Sequence, residues 1–488
     1  MSLINISNLT FCYDGSYDNI FENVNFQIDT DWKLGFTGRN GRGKTTFFNL
    51  LLGKYEYRGK ITASADFQYF PYTVQNRTQS TLSVVEEIQP NLQQWQLLRE
   101  LSLLDVPEDV LTRPFSTLSN GEQTKVLLAA LFLGENSFLL IDEPTNHLDA
   151  AGRLLVARYL HSKAGFILVS HDRAFLDSCV DHILSINRAN IEVCRGSFST
   201  WLENKQRQDT FEIAENEKLT KDIKRLKKTA REKSDWSDKV EATKKGHGPC
   251  DRGYIGAKAA KMMKRSKAIE RRMNAAIVEK SSLLKNIDTA DSLKLNQTHY
   301  HKPHLVSLAD VSISYGSKTV CENISFTIKQ GDRICLQGKN GSGKSSIIKL
   351  ICGEDITHTG NISIGSGLLI SYVSQDTSFL HGSLTAFSKE HNLDESLFKA
   401  ILRKLDFSRT QFDKDVQDFS GGQKKKVLIA KSLCENSNLL IWDEPLNFID
   451  VLSRMQIEQL LLEHSPTILF VEHDSVFSER IATKKILL

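Results

Sequence analysis

No apolar run in this sequence approaches the roughly 18 to 20 residues needed to cross a bilayer; the longest are short pieces such as residues 126–133. The opening residues, 1–6, hold neither the basic region nor the apolar stretch of a secretory signal. Both absences point to a cytoplasmic chain with no membrane partner. The eight cysteines (Cys12, Cys179, Cys194, Cys250, Cys321, Cys335, Cys352 and Cys434) include no CxxC pair, which argues against a zinc knuckle or a redox motif. Reduced, mostly buried thiols are expected instead. An excess of one charge is missing too: 62 basic and 59 acidic side chains leave +3, so a polyanionic partner requires the charges to be segregated. With 488 residues the chain exceeds one ordinary core, and two or more domains are expected.

What is present is a repeat, with a period of about 300 residues. A strand-like segment, 33–37, leads into Gly38-Arg39-Asn40-Gly41-Arg42-Gly43-Lys44-Thr45 and an apolar helix expected from Thr46. In the second copy, segment 333–337 leads into Gly338-Lys339-Asn340-Gly341-Ser342-Gly343-Lys344-Ser345 and a helix from Ser346. Both fit GxxxxGK followed by Ser or Thr, between strand and helix. Main-chain amides turn around phosphate oxygens there, the helix start adds partial positive charge, and the lysine reaches the outer phosphates. Thr45 and Ser345 each offer a hydroxyl to Mg2+.

Each copy then carries an apolar run ending in two carboxylates, Asp142-Glu143 and Asp443-Glu444. Such a run predicts a strand buried on both faces of a parallel sheet, its carboxylates emerging beside the phosphate loop. The aspartate suits magnesium, and the glutamate suits orienting or deprotonating the attacking water. Between loop and carboxylates lie Leu118-Ser119-Asn120-Gly121-Glu122 and Phe419-Ser420-Gly421-Gly422-Gln423.

With these segments the sequence resembles the ATP-binding cassette superfamily, whose signature is LSGGQ, over all but its middle fifth. The fold this implies is α/β: two tandem P-loop nucleotide-binding domains, 1–202 and 303–488, joined by a helical-hairpin linker, 203–290. The resemblance also implies ATP hydrolysis at two composite sites. One joins Lys44, Thr45, Asp142 and Glu143 to Ser420 and Gly422; the other joins Lys344, Ser345, Asp443 and Glu444 to Ser119 and Gly121. The expected ATP contacts include Gly38, Asn40, Gly41, Gly43 and Thr46, and in the second copy Gly338, Asn340, Gly341, Gly343 and Ser346. His171 and His473 match the family's switch histidine, and Tyr13 and Tyr315 its adenine-stacking aromatic. Gln375 matches the glutamine that joins the magnesium shell, whereas the first copy has Tyr72 there. Asn120 stands where the signature has glycine, a mild change because asparagine tolerates left-handed backbone.

From about 203 to 285 lysine and arginine become dense and helical spacing appears. Two helices are expected, at about 203–240 and 257–285, with a glycine-rich tip near 244–257. Residues 218–272 hold roughly 19 basic against 7 acidic side chains, so the rest of the chain is acidic on balance and a polyanion belongs at the linker.

Tandem cassettes with a basic hairpin resemble the ABC-F family of ribosome-associated ATPases. The tip sequence, 246–256, and its continuation, 258–267, look like the Lsa and Vga group of bacterial antibiotic-resistance proteins. That resemblance implies a monomer whose two cassettes pair within one chain, ATP and Mg2+ as ligands, and the 70S ribosome as partner, with ribosomal and transfer RNA. It implies that the linker protects the peptidyl-transferase centre from lincosamides, pleuromutilins and streptogramin A. Tyr254, Ile255, Lys258, Lys261, Lys264, Arg265 and Lys267 are the expected RNA contacts. A housekeeping translation factor, a transporter motor and a DNA-handling ATPase remain alternatives at this level.

Overall fold

The computed structural model describes residues 2–13, 19–134, 136–146, 148–187, 190–242, 264, 295, 297–316, 318–339 and 341–488. The chain divides into two compact units, Met1–Trp201 with Ala290–Leu488, and Leu202–Thr289.

In the first unit each copy builds the same pair of sheets. One is antiparallel and three-stranded, with Leu3–Phe11 between Phe21–Asp29 and Arg58–Thr62; its counterpart has His304–Tyr315 between Lys318–Lys329 and His358–Ile364. The other sheet carries the motifs. Its order in the first copy is Asp66–Phe70, Ser137–Asp142, Phe166–Val169, Lys33–Thr37 and His182–Asn187, all parallel, with Asn190–Arg195 antiparallel at the edge. The second copy orders Ile370–Val373, Leu439–Asp443, Ile468–Val471, Arg333–Gln337 and Lys484–Leu487, all parallel.

Parallel neighbours require crossovers, and the intervening helices cover the sheet. Phe138, Leu139, Leu140 and Ile141 are accordingly buried along the whole strand. The same parallelism brings the phosphate loop, the carboxylates and the histidine segment out at one edge, since Asp142 lies opposite Val169 and Asp443 opposite Val471.

The helices after the phosphate loops are Lys44–Leu51 and Lys344–Ile351. They begin two residues before the expected Thr46 and Ser346. Gly43 (φ 97°) and Gly343 (φ 89°) take the left-handed backbone at the N-cap, so the lysine is already helical. A side chain on Gly43 would also collide, with a Cβ only 2.6 Å from Ile20 Cγ2. Phe47 and Phe48 are fully buried, and Phe47 packs edge-on against Phe36 and Phe21. Each such ring stabilises the fold by about 1.5–3 kcal/mol, so the loop rests on a stiff core.

The helix Phe198–Ala242 has 45 residues, which at 1.5 Å per residue is about 68 Å. It starts five residues before the expected Glu203. The reason is local: the Thr200 amide donates to Ser197 Oγ at 3.3 Å, the Ser199 amide donates to Asp177 at 2.8 Å, and Phe198 is buried. Further along, Lys218, Lys221, Lys224, Arg225 and Lys228 are exposed. The second linker helix and the tip lie outside the described residues, as do Tyr254, Ile255, Lys258, Lys261, Arg265 and Lys267; Lys264 is helical and exposed. Among the described residues no helix is long and apolar enough to cross a membrane.

Candidate active sites

The phosphate-loop lysines are turned onto their own loops. Lys44 Nζ donates to the Gly38 carbonyl at 2.7 Å and the Arg39 carbonyl at 3.2 Å; Lys344 Nζ donates to Gly338 at 2.9 Å and Lys339 at 2.8 Å. Burial lowers the pKa of both, with the nearby carboxylates opposing it. Gly38, Gly41 and Gly43, like Gly338, Gly341 and Gly343, all have positive φ. Gly41 (φ 81°) is the cleanest case, since nothing crowds it and only the backbone angle selects glycine.

At the carboxylates, Thr45 Oγ1 donates to Asp142 Oδ2 at 3.4 Å, and Ser345 hydrogen-bonds Asp443. Asp443 Oδ1 is buried without a hydrogen-bond partner. A buried carboxylate oxygen with spare capacity beside a hydroxyl is the donor set a hard cation takes alongside phosphate oxygens, so Thr45 with Asp142, and Ser345 with Asp443, fit magnesium. Burial raises the pKa of both aspartates.

Glu143 and Glu444 adopt left-handed backbone, φ 50° and 47°, a costly conformation for glutamate. Their amides donate to Val169 and Val471 at 2.9 and 3.1 Å, which holds the turn in place. His171 Nε2 lies 3.3 Å from Glu143 Oε1, and His473 Nε2 lies 3.3 Å from Glu444 Oε1. The surroundings of the two glutamates differ. Glu143 is pushed up to about 8 by burial and by Asp142, and its Oε1 has no partner in hydrogen-bond geometry. Burial opposes ionisation of Glu444 too, but the hydrogen bond and charge of His473, with Lys425 and Asn447, outweigh it and hold its pKa low.

Gln375 Nε2 donates to Glu444 Oε2 at 2.9 Å, which sets it beside the second copy's paired carboxylates. In the first copy Tyr69, absent from the sequence reading, donates its hydroxyl to Asp142 Oδ2 at 3.1 Å. A signal did exist: Tyr372 holds the same register position in the second copy, three residues before Gln375 as Tyr69 is before Tyr72.

The signature segments start helices. Ser119 caps Asn120–Leu131 and Ser420 caps Gly421–Cys434, each in a capping box completed by Glu122 or Gln423. This explains the acidic or amide residue three places after the serine. Gly422 abuts the opposite phosphate loop: a Cβ there would lie 2.3 Å from the Phe448 carbonyl and 2.9 Å from Asn40 Nδ2. Asn40 Nδ2 itself donates to that carbonyl at 2.7 Å. At the other site a cavity of about 1010 Å³ is lined by Ser119 and Gly121 on one side and by Gln375, Glu444 and His473 on the other. The head-to-tail pairing of the two copies is therefore present in the geometry.

Tyr13 and Tyr315 are exposed, and their hydroxyls meet Thr46 Oγ1 at 2.8 Å and Ser346 Oγ at 3.2 Å. Neither is a core residue. Their hydroxyls thus reach the first turn of the phosphate-loop helices, and the Tyr13 ring also meets Phe11 and Tyr55 edge-on. Asn340 lies outside the described residues.

The sequence profile described as ABC transporter matches residues 21–146 and 321–447, more than half the chain. The chain belongs to this ATP-binding cassette family. Within it the chain is an ABC-F protein, and it is an ATPase. It is 26% identical to the ribosome protection protein VmlR of Bacillus subtilis over 503 residues, covering 100% of this chain and 86% of that protein. It is 25% identical to the energy-dependent translational throttle protein EttA of Haemophilus influenzae, covering 95% and 88%, and 28% identical to the ATP-binding protein Uup of Buchnera aphidicola, covering 99% and 80%. The archaeal ribosome recycling factor aABCE1, solved with the stalk protein aP1, superposes with a TM-score of 0.63 at 18% identity, covering 98% of this chain and 87% of that one, a likeness of fold.

A second cassette feature escaped the sequence reading. Arg153 donates to the Leu148 carbonyl at 3.1 Å and pairs with Asp172 at 3.1 Å; Arg454 donates to Ile449 at 2.9 Å and pairs with Asp474 at 3.4 Å. Each arginine thus ties the segment after the carboxylates to the segment after the histidine, and so fixes two parts of one site.

Proposed function

We propose that this ATPase binds the bacterial ribosome at the E site and protects the peptidyl-transferase centre from lincosamides, pleuromutilins and streptogramin A by inserting its linker. The observation that carries this reading is the similarity to a ribosome protection protein over the whole chain. The exposed basic residues of the helix Phe198–Ala242 support it, because phosphate backbones bind such surfaces.

In this reading Lys44 and Lys344 leave their loop carbonyls for the outer phosphates of ATP. Glu143 and Glu444 hold the attacking water, His171 and His473 orient them, and Ser420 with Gly422, or Ser119 with Gly121, grips the γ-phosphate from across the site. Thr45 with Asp142, and Ser345 with Asp443, would hold Mg2+, which when bound neutralises phosphate charge. Closure of the cassettes on ATP favours ribosome binding, and hydrolysis releases the protein.

The similarity to EttA supports a second reading, a translation factor without a drug role. Both readings place the protein on the ribosome, and ribosome pelleting tests that shared step. Binding is expected to fall steeply as salt rises, and reversing Lys258, Lys261, Lys264, Arg265 and Lys267 together to flatten the dependence by roughly one power of salt concentration per lost phosphate contact. Pelleting that ignored both salt and charge reversal, or recovery of the protein with membranes alone, would count against it.

A further inference from the structure

Among the described residues, ion pairs between a phosphate loop and the opposite cassette form at one of the two sites only. Arg39 and Arg42, from the first loop, pair with Asp406 of the other cassette, Nη1 to Oδ1 at 3.4 Å and Nη2 to Oδ1 at 3.8 Å. The contact is sheltered: the Arg39 side chain is 10% exposed and that of Asp406 24%. Asp406 follows the helix Glu395–Lys404, ahead of the signature segment, in left-handed backbone, φ 69°, between the buried Leu405 and Phe407 that pin it in place.

The repeat supplies an internal control. Asp105, also left-handed at φ 50° and preceded by buried Leu104, is the counterpart of Asp406, and Lys339 is the counterpart of Arg39. Asp105 and Lys339 line the same cavity between the cassettes, yet both are exposed and they form no ion pair. Pseudo-symmetric charges therefore face each other across both sites, but only those at the Lys44 site are engaged.

We propose that Asp406 with Arg39 and Arg42 is an electrostatic latch that seals the Lys44 site, and that Asp105 with Lys339 is its weaker counterpart at the Lys344 site. Asp406 is a positioning residue: it draws the Ser420 signature onto the opposite phosphate loop, where Gly422 and Asn40 already meet. Two planar guanidiniums hold one carboxylate more firmly than a single flexible ammonium, so the Lys44 site closes at lower ATP. The inference concerns closure alone and is independent of the ribosomal reading.

The test is cassette closure followed by energy transfer between one dye on each cassette, titrated with ATP in a Glu143→Gln, Glu444→Gln background without ribosomes. Asp406→Asn keeps a residue that tolerates left-handed backbone, so the turn survives while the charge is lost. It is expected to raise the ATP needed for half-closure about five-fold, and Asp105→Asn by less than about two-fold. Asp406→Lys should be worse than Asp406→Asn, and adding Arg42→Glu to it should restore part of the loss, which a merely structural role would not allow. Half-closure of Asp406→Asn at the parent's ATP concentration, equal effects at Asp105 and Asp406, or no rescue by the reversed pair would each overturn the latch.

Discussion

Changing Glu143 and Glu444 together to glutamine is expected to slow ATP hydrolysis by about 10²- to 10⁴-fold while leaving ATP binding intact. The expectation follows from geometry that occurs twice. Each glutamate follows a buried strand, stands in left-handed backbone beside an aspartate with a hydroxyl partner, and has an imidazole nitrogen 3.3 Å from its carboxylate. Glutamine keeps the shape and loses the base. The double variant should accumulate with both cassettes closed on unhydrolysed ATP. Steady-state phosphate release checks the rate and equilibrium binding of a fluorescent nucleotide checks affinity; near-normal turnover would remove these residues from the chemistry. The single variants should differ, because Gln375 and Asn447 donate to Glu444 at 2.9 and 2.6 Å, whereas burial and Asp142 push the Glu143 carboxyl up to about 8.

The second large effect is on stability. Lys426 Nζ lies 2.8 Å from Asp450 Oδ2 with both side chains at least 96% buried, and it also donates to the Leu405 carbonyl at 2.9 Å. Burial opposes ionisation of Asp450, but Lys426, by charge and hydrogen bond, holds its pKa far below the usual carboxylate range. Lys426→Ala leaves that carboxylate buried without its cation and is expected to destabilise the second cassette by about 3–5 kcal/mol. Lys125 is the matching residue of the first cassette; it borders the cavity and forms no ion pair with Asp149, so Lys125→Ala should change stability by less than about 0.5 kcal/mol. Urea unfolding of the two variants measures both, and equal losses would contradict the assignment.

Much of the fold was legible because its causes are local. The apolar run 138–141 admits only a strand covered on both faces, and a glycine-rich loop between strand and helix admits few uses. The repeat turned each such reading into two. What stayed hidden depends on tertiary geometry. Nothing in Asp-Glu-Pro announces that the glutamate backbone is left-handed, because that follows from amides fixed by the neighbouring strand. Tyr69 escaped because it precedes the expected glutamine position on a strand whose partner is distant in sequence. The hydrogen bond from Gln375 to Glu444 stayed hidden because Asp443 and Glu444 are adjacent in sequence while their side chains meet different neighbours. The start of the linker helix was misplaced because apolar spacing marks where a helix packs, whereas Ser197 marks where it is capped.

The central claim, protection of the ribosome through the linker, is tested most directly by the minimum inhibitory concentration of a pleuromutilin and a lincosamide. A sensitive bacterium would express, at matched levels, either the full chain or one shortened between Gly248 and Gly253. The account predicts a clear rise with the full chain and none with the shortened chain, whose ATP hydrolysis and ribosome binding stay close to normal. No rise with the full chain, or full protection by the shortened one, would contradict it.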